Sequence, residues 1–222
     1  MSGLAMIGLV VSPTWAGVSA AMVKAELQQE DGWEGVGTVS RGGIDNIHGR
    51  HKELDGVDCL EATADTQLSA ALLREIILDI PKNLEWSSAD LSTSTVLFSE
   101  SGRVDYYQVL NLPSPLADRY WFLRGTETRS DGVWTFSWER IDATSWPDEH
   151  AALLASAPNA VEIGINVGSW TLSEGEDGLT ARFRSCTDVG GAIPRWAGEK
   201  AARLLLPNNI VDLFVEGQRR SL

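Results

Sequence analysis

A series of short apolar segments separated by glycine turns fills the chain from residue 87 to residue 188 and restricts the fold more than any other feature. Ser101-Gly102, Asp131-Gly132 and Asp177-Gly178 stand between segments as tight turns. Short strands joined by such turns are typical of an antiparallel sheet. The predicted strands cover residues 93–98, 104–112, 120–128, 133–141, 161–172 and 179–187.

Side-chain alternation shows which face of these strands should be buried. Trp134, Phe136 and Trp138 alternate with polar residues, so one face of their strand is strongly aromatic and should point inward. In the strand over residues 161–172, the parity of the apolar residues changes at Gly168-Ser169, which predicts a β-bulge. Such a bend is typical of a curved sheet that wraps around another part of the molecule or around a ligand.

The predicted sheet is preceded by a mixed segment and followed by a long helix. Apolar residues recur at helical spacing between Asp65-Thr66, which offers N-cap chemistry, and Ile80-Pro81. Upstream of this amphipathic helix we predict a short helix over residues 21–32 and hairpin-linked strands over 33–40, 44–52 and 56–64.

The C-terminal helix is predicted to begin after Gly190-Gly191, with Pro194 in its first turn, and to run to about Gly217. Pro207 should kink or break it. One apolar stripe of this helix comprises Ile193, Trp196, Ala197, Ala201, Leu204 and Leu205.

The N-terminus resembles an export signal. An apolar run over residues 4–11 precedes Val18-Ser19-Ala20, which fits a small-residue cleavage site, although no positive charge precedes the run. We predict a signal peptide over residues 1–20, with a short apolar leader as the alternative. If the leader is cleaved, the protein is periplasmic or extracellular, and otherwise it is cytoplasmic.

The charge balance limits the partners. With 31 acidic and 18 basic residues, the net charge is −13, which argues against nucleic acid and against stable docking to an anionic membrane. We expect a monomer that makes at most brief membrane contacts. The chain has only two cysteines, too few for an all-cysteine zinc site.

Three motifs make the chain similar to a known family. They are LPSPLADRY at 112–120, GSWTL at 168–172 and DVGGAIPRW at 188–196, and DIPKNLEW at 79–86 matches more weakly. With the order of predicted elements, they resemble the START (StAR-related lipid-transfer) family of the SRPBCC superfamily, in its bacterial form. The resemblance covers residues 24–220. Residues 143–159 do not match the family's usual loop, which leaves the ligand class open.

The resemblance implies an α+β helix-grip fold, in which a curved antiparallel β-sheet wraps around a long C-terminal α-helix. It also implies a hydrophobic tunnel that binds a lipid or a sterol-like ligand and can serve in its transfer, with the loop over 111–119 and the helix from Ile193 as its gate. No cofactor or metal is implied. A cyclase or aromatase acting on a hydrophobic substrate is the alternative, and an interaction module with a solid core is a third. The predicted ligand-binding residues are Arg119, Trp121, Leu123, Trp134, Phe136, Trp138, Ile193, Trp196 and Leu204.

Few residues point to catalysis. Hydrolase, zinc-protease and phosphate-binding motifs are absent from the sequence. His48 and His51 have opposite parity on a strand, which favours surface polarity over a shared zinc ion. His150 is a lone loop histidine that could lie near a cavity mouth. A cyclase would depend on polar side chains that point inward, and the candidates are Tyr106, Asp118, Arg119 and Glu139, although Asp118 and Arg119 could instead form a local ion pair.

The two cysteines could form a disulfide. In the topology of the family the strands that carry Cys59 and Cys186 are neighbours, and both residues fall on the more polar face of their strands. The resemblance therefore implies a cross-strand disulfide, or a close thiol pair, on the outer face. Export would favour the disulfide because the compartment would be oxidising.

Overall fold

A computed structural model of the protein describes residues 19–175, 178–188 and 195–222, with the side chains of 195–206 left out. The α-helices are α1 (Ala20–Leu27), α2 (Ala70–Leu78), α3 (Asn83–Trp86), α4 (Pro147–Ser156) and α5 (Arg195–Arg220). The strands are β1 (Glu34–Arg41), β2 (Ile44–Leu54), β3 (Val57–Thr66), β4 (Leu91–Glu100), β5 (Arg103–Leu110), β6 (Arg119–Ser130), β7 (Val133–Arg140), β8 (Val161–Glu162), β9 (Ile165–Gly175) and β10 (Gly178–Asp188). Short 3-10 helices cover Ile80–Lys82 and Ala143–Ser145.

A single antiparallel sheet organises the molecule. Its strand order is β1-β2-β3-β10-β9-β7-β6-β5-β4, and the short β8 pairs in parallel with β6. The helix α5 packs against β1, β2, β3 and β10, and α2 packs against α5. The main core lies between the inner face of the sheet and these two helices. The predicted α+β helix-grip fold is confirmed.

Two glycines let aromatic rings lie directly on the inner face of the sheet. A methyl group added at Gly168 would overlap the ring of Trp138, and one added at Gly125 would overlap the ring of Phe136. Both rings belong to the aromatic face of β7, which points inward as its alternation predicts. Because Gly168 and Gly125 have no side chain, the rings of Trp138 and Phe136 can pack directly against the backbone of the sheet.

The predicted bulge at Gly168-Ser169 is wrong. The pairing of β9 with β7 and with β10 continues through both residues without a shift of register. The apolar parity changes because β9 is buried on both faces. Val167 lies in an outer cluster beneath α1, whereas Trp170 belongs to the main core.

Three further boundaries differ from the predictions. The helix α5 runs through Pro207 without a break. Strand β3 extends to Thr66, and the N-cap of α2 is Ser69, whose hydroxyl accepts a 3.3 Å hydrogen bond from the N–H of Leu72. Residues 1–18 of the predicted signal peptide lie outside the described part of the chain. The predicted start of the last helix, at Gly190-Gly191 and Pro194, also lies outside it.

On the outer face, α1 covers a disulfide. Cys59 and Cys186 are direct partners in the pairing of β3 with β10, and their sulfur atoms are 2.01 Å apart. Both residues are fully buried with Val23 and Leu27 of α1. The polar environment expected from strand parity is therefore wrong at this point, because an apolar helix covers this part of the outer face.

A charged cluster beside the disulfide holds α1 in place. Glu61 accepts hydrogen bonds from Arg50 at 2.6 Å and from Arg184 at 2.6 Å, and Arg184 also donates to the carbonyl oxygen of Leu27 at 2.9 Å. Burial favours the neutral form of Glu61, but the hydrogen bonds from Arg50 and Arg184 outweigh it and keep the pKa of Glu61 below its usual range. The cluster therefore needs an ionised Glu61.

Two negative findings apply to the described residues alone. None of their helices combines the length and the apolar character needed to span a bilayer. None of their histidines, cysteines and acidic residues forms a group of three or more that could hold a metal ion.

Candidate functional site

A cavity of about 260 Å³ lies between the inner face of the sheet, the α3 segment and α5. Strand alternation builds its wall, because the residues of β5, β6, β7, β9 and β10 that line it are alternate residues of these strands. The apolar and aromatic side chains among the described lining residues are Ile77, Ile80, Trp86, Ala89, Leu91, Leu110, Trp121, Leu123, Phe136, Trp138, Ile163, Trp170 and Phe183. The polar ones are Asn83, Ser87, Tyr106, Gln108, Asn166, Ser185, Thr187 and Asn209.

Four of the predicted ligand-binding residues line this cavity, namely Trp121, Leu123, Phe136 and Trp138. Trp134 shares their face but is not among the described lining residues. Its indole N–H donates a 2.8 Å hydrogen bond to Glu127, which also pairs with Arg74 of α2. Trp134 thus lies under α2, where the sheet and the helix close the core.

Arg119 is the first residue of β6, at the end of the loop predicted to act as a gate, and is not among the described residues of the cavity wall. It is only 2% exposed, and its guanidinium donates to the carbonyl oxygens of Ala117 and Asp118. The carboxylate of Asp118 accepts from the N–H of Leu112 at 3.0 Å. The alternative of a local Asp118–Arg119 ion pair is therefore replaced by main-chain hydrogen bonds that shape the loop. Burial lowers the pKa of Arg119, and the nearby charge of Asp118 opposes this effect.

The other three predicted residues belong to the C-terminal region. Ile193 lies outside the described residues. Trp196 and Leu204 lie within α5, but their side chains belong to the segment that is left out of the description. Their contribution to ligand binding stays a prediction.

Two polar residues of the wall were not predicted, and each orients an indole ring. Gln108 accepts a 3.0 Å hydrogen bond from the indole N–H of Trp121 and donates at 3.0 Å to Ser94. Asn166 accepts a 2.9 Å hydrogen bond from the indole N–H of Trp138. Gln108 and Asn166 lie at inward positions of β5 and β9, but only their pairing with tryptophan in the folded sheet reveals this role.

Three other polar groups of the lining residues have no hydrogen-bond partner in the part of the chain that the structure describes. Two of them, the Oδ1 of Asn83 and the Nε1 of Trp86, are buried. Tyr106 is 4% exposed, and its hydroxyl makes no hydrogen bond within the described part of the chain. Burial alone raises the pKa of Tyr106, so its phenol stays protonated at neutral pH.

The remaining ionisable candidates lie elsewhere. Glu139 pairs with Lys24 of α1 at 2.9 Å. His150, which was predicted to lie in a loop, belongs to α4, and its ring bonds to the hydroxyl of Tyr120 at 2.9 Å. His48 and His51 bond separately, the first to a threonine and the second to an aspartate. Among the lining residues that the structure describes, none is Asp, Glu, His, Lys or Arg.

Comparison with known proteins establishes the fold. No protein-family model matches the sequence, and no curated protein matches it. The structure is similar to human STARD10 (TM-score 0.72, 14% identity, 90% of this chain and 78% of that chain). It is also similar to a STAR-related lipid transfer protein from Xanthomonas axonopodis (TM-score 0.69, 18% identity, 85% and 99%) and to the ZhuI aromatase/cyclase from Streptomyces sp. R1128 (TM-score 0.52, 13% identity, 75% and 96%). The START-type fold that the motifs predicted is therefore confirmed.

Proposed function

We propose that the protein binds a hydrophobic small molecule or lipid in the cavity between the sheet and α5. The observation that carries this proposal is the chemistry of the cavity wall, where 14 of the 21 described residues are apolar or aromatic, Tyr106 included, and the other seven are polar but uncharged. Burying apolar surface drives binding to such a site, and a few fixed polar groups orient the ligand. Structural similarity to a STAR-related lipid transfer protein from Xanthomonas axonopodis supports the same class of function.

We further propose that the protein transfers its ligand between membranes. The gate loop ends at Arg119, where main-chain hydrogen bonds shape it, and Leu116 in this loop is exposed. An exposed apolar residue in this loop suits a brief membrane contact during ligand exchange, in spite of the net charge of −13.

A cyclase-type enzyme is the second candidate. The similarity to an aromatase/cyclase and the unpaired hydroxyl of Tyr106 favour it. Of the four polar side chains considered for such chemistry, only Tyr106 lines the cavity. A phenol whose pKa is raised by burial holds its proton more tightly, which makes Tyr106 a weaker acid, and no base lies among the described lining residues to activate it. Binding therefore explains the wall better than catalysis does.

We also propose export to an oxidising compartment, which the disulfide between Cys59 and Cys186 supports, because such bonds are rare in the cytosol. We propose in addition that the protein is a monomer.

Native mass spectrometry of gently purified protein tests the binding function. Ser185 lines the cavity, so Ser185→Trp should fill it, whereas Ser99→Trp places the same side chain on an exposed position of the edge strand β4. We expect a bound mass with the wild type and with S99W but not with S185W. If repeated preparations and added lipids or sterols leave only the apo mass in all three proteins, the proposal fails.

A further inference from the structure

We propose that the cavity recognises a neutral ligand carbonyl, such as that of a ketone or an ester, through Asn166, Ser185 and Thr187. This inference rests on the proposed binding function and specifies the polar group of its ligand. It follows from the register of two neighbouring strands, from the hydrogen-bonding groups that these three side chains leave free, and from the aromatic wall beside them.

The three polar side chains form one cluster on the inner face of the sheet, and all of them line the cavity. Asn166 of β9 and Thr187 of β10 are direct partners in the antiparallel pairing, and such partners have Cβ atoms about 4.5–5.5 Å apart. Ser185 lies two residues before Thr187 on the same face, and the two hydroxyl oxygens are 3.2 Å apart. One ligand atom can therefore lie within reach of the Asn166 amide and of a hydroxyl. Tyr106 lies apart from the cluster, because β6 and β7 separate β5 from β9.

The amide of Asn166 has free hydrogen-bond donors. The indole N–H of Trp138 can only donate, so the amide atom that it contacts at 2.9 Å is the Oδ1 of Asn166. The Nδ2 group therefore points away from the indole N–H, and it makes no hydrogen bond to the described residues. This nitrogen differs from the Oδ1 of Asn83 and the Nε1 of Trp86, which are fully covered and cannot reach a ligand.

The two hydroxyls add a further donor. Within the pair of Ser185 and Thr187 one hydroxyl donates to the other, which leaves one O–H without an acceptor among the described residues. The amide and this hydroxyl therefore both require an acceptor. A carbonyl oxygen has two lone pairs and can accept from both groups at once. A ligand group that only donates would leave the amide of Asn166 unpaired.

Charge favours a neutral carbonyl over a carboxylate. A buried anion needs an opposite charge or several strong hydrogen bonds, because transfer out of water strongly disfavours it. None of the described lining residues is Lys, Arg or His, and the net charge of the protein is −13. A carboxylate should therefore bind less well than a ketone of the same shape.

The strand pairing also indicates where the apolar part of the ligand lies. Ser185 and Trp138 both pair with Gly168, from opposite sides. Phe183 is the preceding residue on the same face of β10, and its ring centroid lies 5.8 Å from that of Trp138. The wall therefore changes from polar to aromatic along β10, from Thr187 to Phe183. A ring attached to the carbonyl group would contact the aromatic part of this wall.

Isothermal titration calorimetry at pH 7, with protein titrated into three matched probes, tests the inference. 2-Acetylnaphthalene, 2-isopropenylnaphthalene and 2-naphthoate share one ring system and carry substituents of similar shape, namely a ketone, an alkene and a carboxylate. We expect the ketone to bind about 5-fold to 30-fold more tightly than the alkene, since one or two additional hydrogen bonds give a preference of that order. We expect the carboxylate to bind more weakly than the ketone.

Two variants should reduce the preference for the ketone. Ser185→Ala combined with Thr187→Val removes both hydroxyls with little change in volume. Asn166→Asp removes the amide donors but keeps an oxygen that can accept from the indole N–H of Trp138. Each variant should reduce the ratio of alkene Kd to ketone Kd at least about threefold, the loss expected for one hydrogen bond. The alkene is measured with every protein, so a change of the whole cavity affects both probes and cancels in this ratio.

Thr171→Val is the matched control and should keep the ratio of the wild type. Thr171 alternates with Trp170 and Leu172 of the main core, so it lies on the outer face of β9. An equal fall of the ratio in T171V, or an unchanged ratio in both cluster variants, would overturn the assignment of the recognising residues.

The behaviour of the probes separates this inference from the binding function. Equal affinity of the wild type for the ketone and the alkene, or tighter binding of the carboxylate than of the ketone, would overturn the carbonyl inference and leave hydrophobic binding intact. If no probe binds, the carbonyl inference fails together with the proposed function.

Discussion

Removing the disulfide should cost the protein a large part of its stability. Cys59 and Cys186 are 127 residues apart, and closing a loop of that length in the unfolded chain corresponds to about 5 kcal/mol at 25 °C. Measured losses for native disulfides are typically about 2–5 kcal/mol. We therefore expect Cys59→Ala combined with Cys186→Ala to lower the free energy of unfolding by about 3–5 kcal/mol, out of a usual total of about 5–15 kcal/mol.

Urea denaturation followed by circular dichroism measures this loss, and reduced wild-type protein is the matched control. Reduction removes the cross-link but keeps both sulfur atoms, so the difference between the two samples isolates the packing of the sulfurs beneath α1. A free-thiol assay of unreduced, urea-unfolded protein should find no reactive thiol. Two reactive thiols, or a loss below about 1 kcal/mol with unchanged m-value, would refute the reasoning.

Three further predictions concern stability. Gly168→Ala should lower the free energy of unfolding in urea by about 1–3 kcal/mol, because the methyl group would displace the ring of Trp138, and an unchanged value would contradict the packing. Because the pKa of Glu61 is lowered in the folded state, the free energy of unfolding should fall as the pH decreases from about 5 to about 2; a stability that is constant over this range would contradict the charged cluster. Asp212 accepts from the N–H of Ser88 at 2.6 Å and burial raises its pKa, so Asp212→Asn should be at least as stable as the wild type at pH 7, and its advantage in thermal melts should shrink as the pH falls through the pKa of Asp212. A clear loss of stability at pH 7 would contradict this last prediction.

The sequence predicted which residues point toward the cavity better than it predicted where the cavity ends. Alternation places Trp121, Leu123, Phe136 and Trp138 on inward positions, because a strand exposes successive side chains on opposite faces. The same rule includes Trp134, but it contains no information on where α2 crosses the sheet. Only the packed structure separates the residues that line the cavity from the residue that lies beneath the helix.

The outer face of the sheet shows a second limit of sequence patterns. The strand β9 has apolar residues of both parities, which the sequence analysis interpreted as a bulge, although they result from burial on both faces. The cover on the outer face is α1, which is distant in the sequence and weakly amphipathic. Its position depends on hydrogen bonds such as that from Arg184 to the carbonyl oxygen of Leu27. Long-range contacts of this kind leave no periodic signal.

The polar atoms of the cavity wall were only partly accessible from the sequence. Tyr106 was named as a polar side chain that a cyclase could use if it points inward, and the structure places it in the wall. Asn83 and Trp86 lie in the short helix α3. Their polar atoms are unpaired among the described residues, and this state depends on what surrounds them in three dimensions, so it could not be predicted.

Fluorescence titration with 1-aminonaphthalene, a small neutral ring whose emission responds to its environment, tests the central claim most directly. The account predicts saturable 1:1 binding with a blue shift for the wild type and for S99W, and at least about tenfold weaker binding for S185W, which corresponds to about 1.4 kcal/mol. Equal binding by S185W and the wild type, with all three proteins folded, would place the probe outside the cavity and contradict the account. The absence of saturable binding by the wild type would contradict it as well.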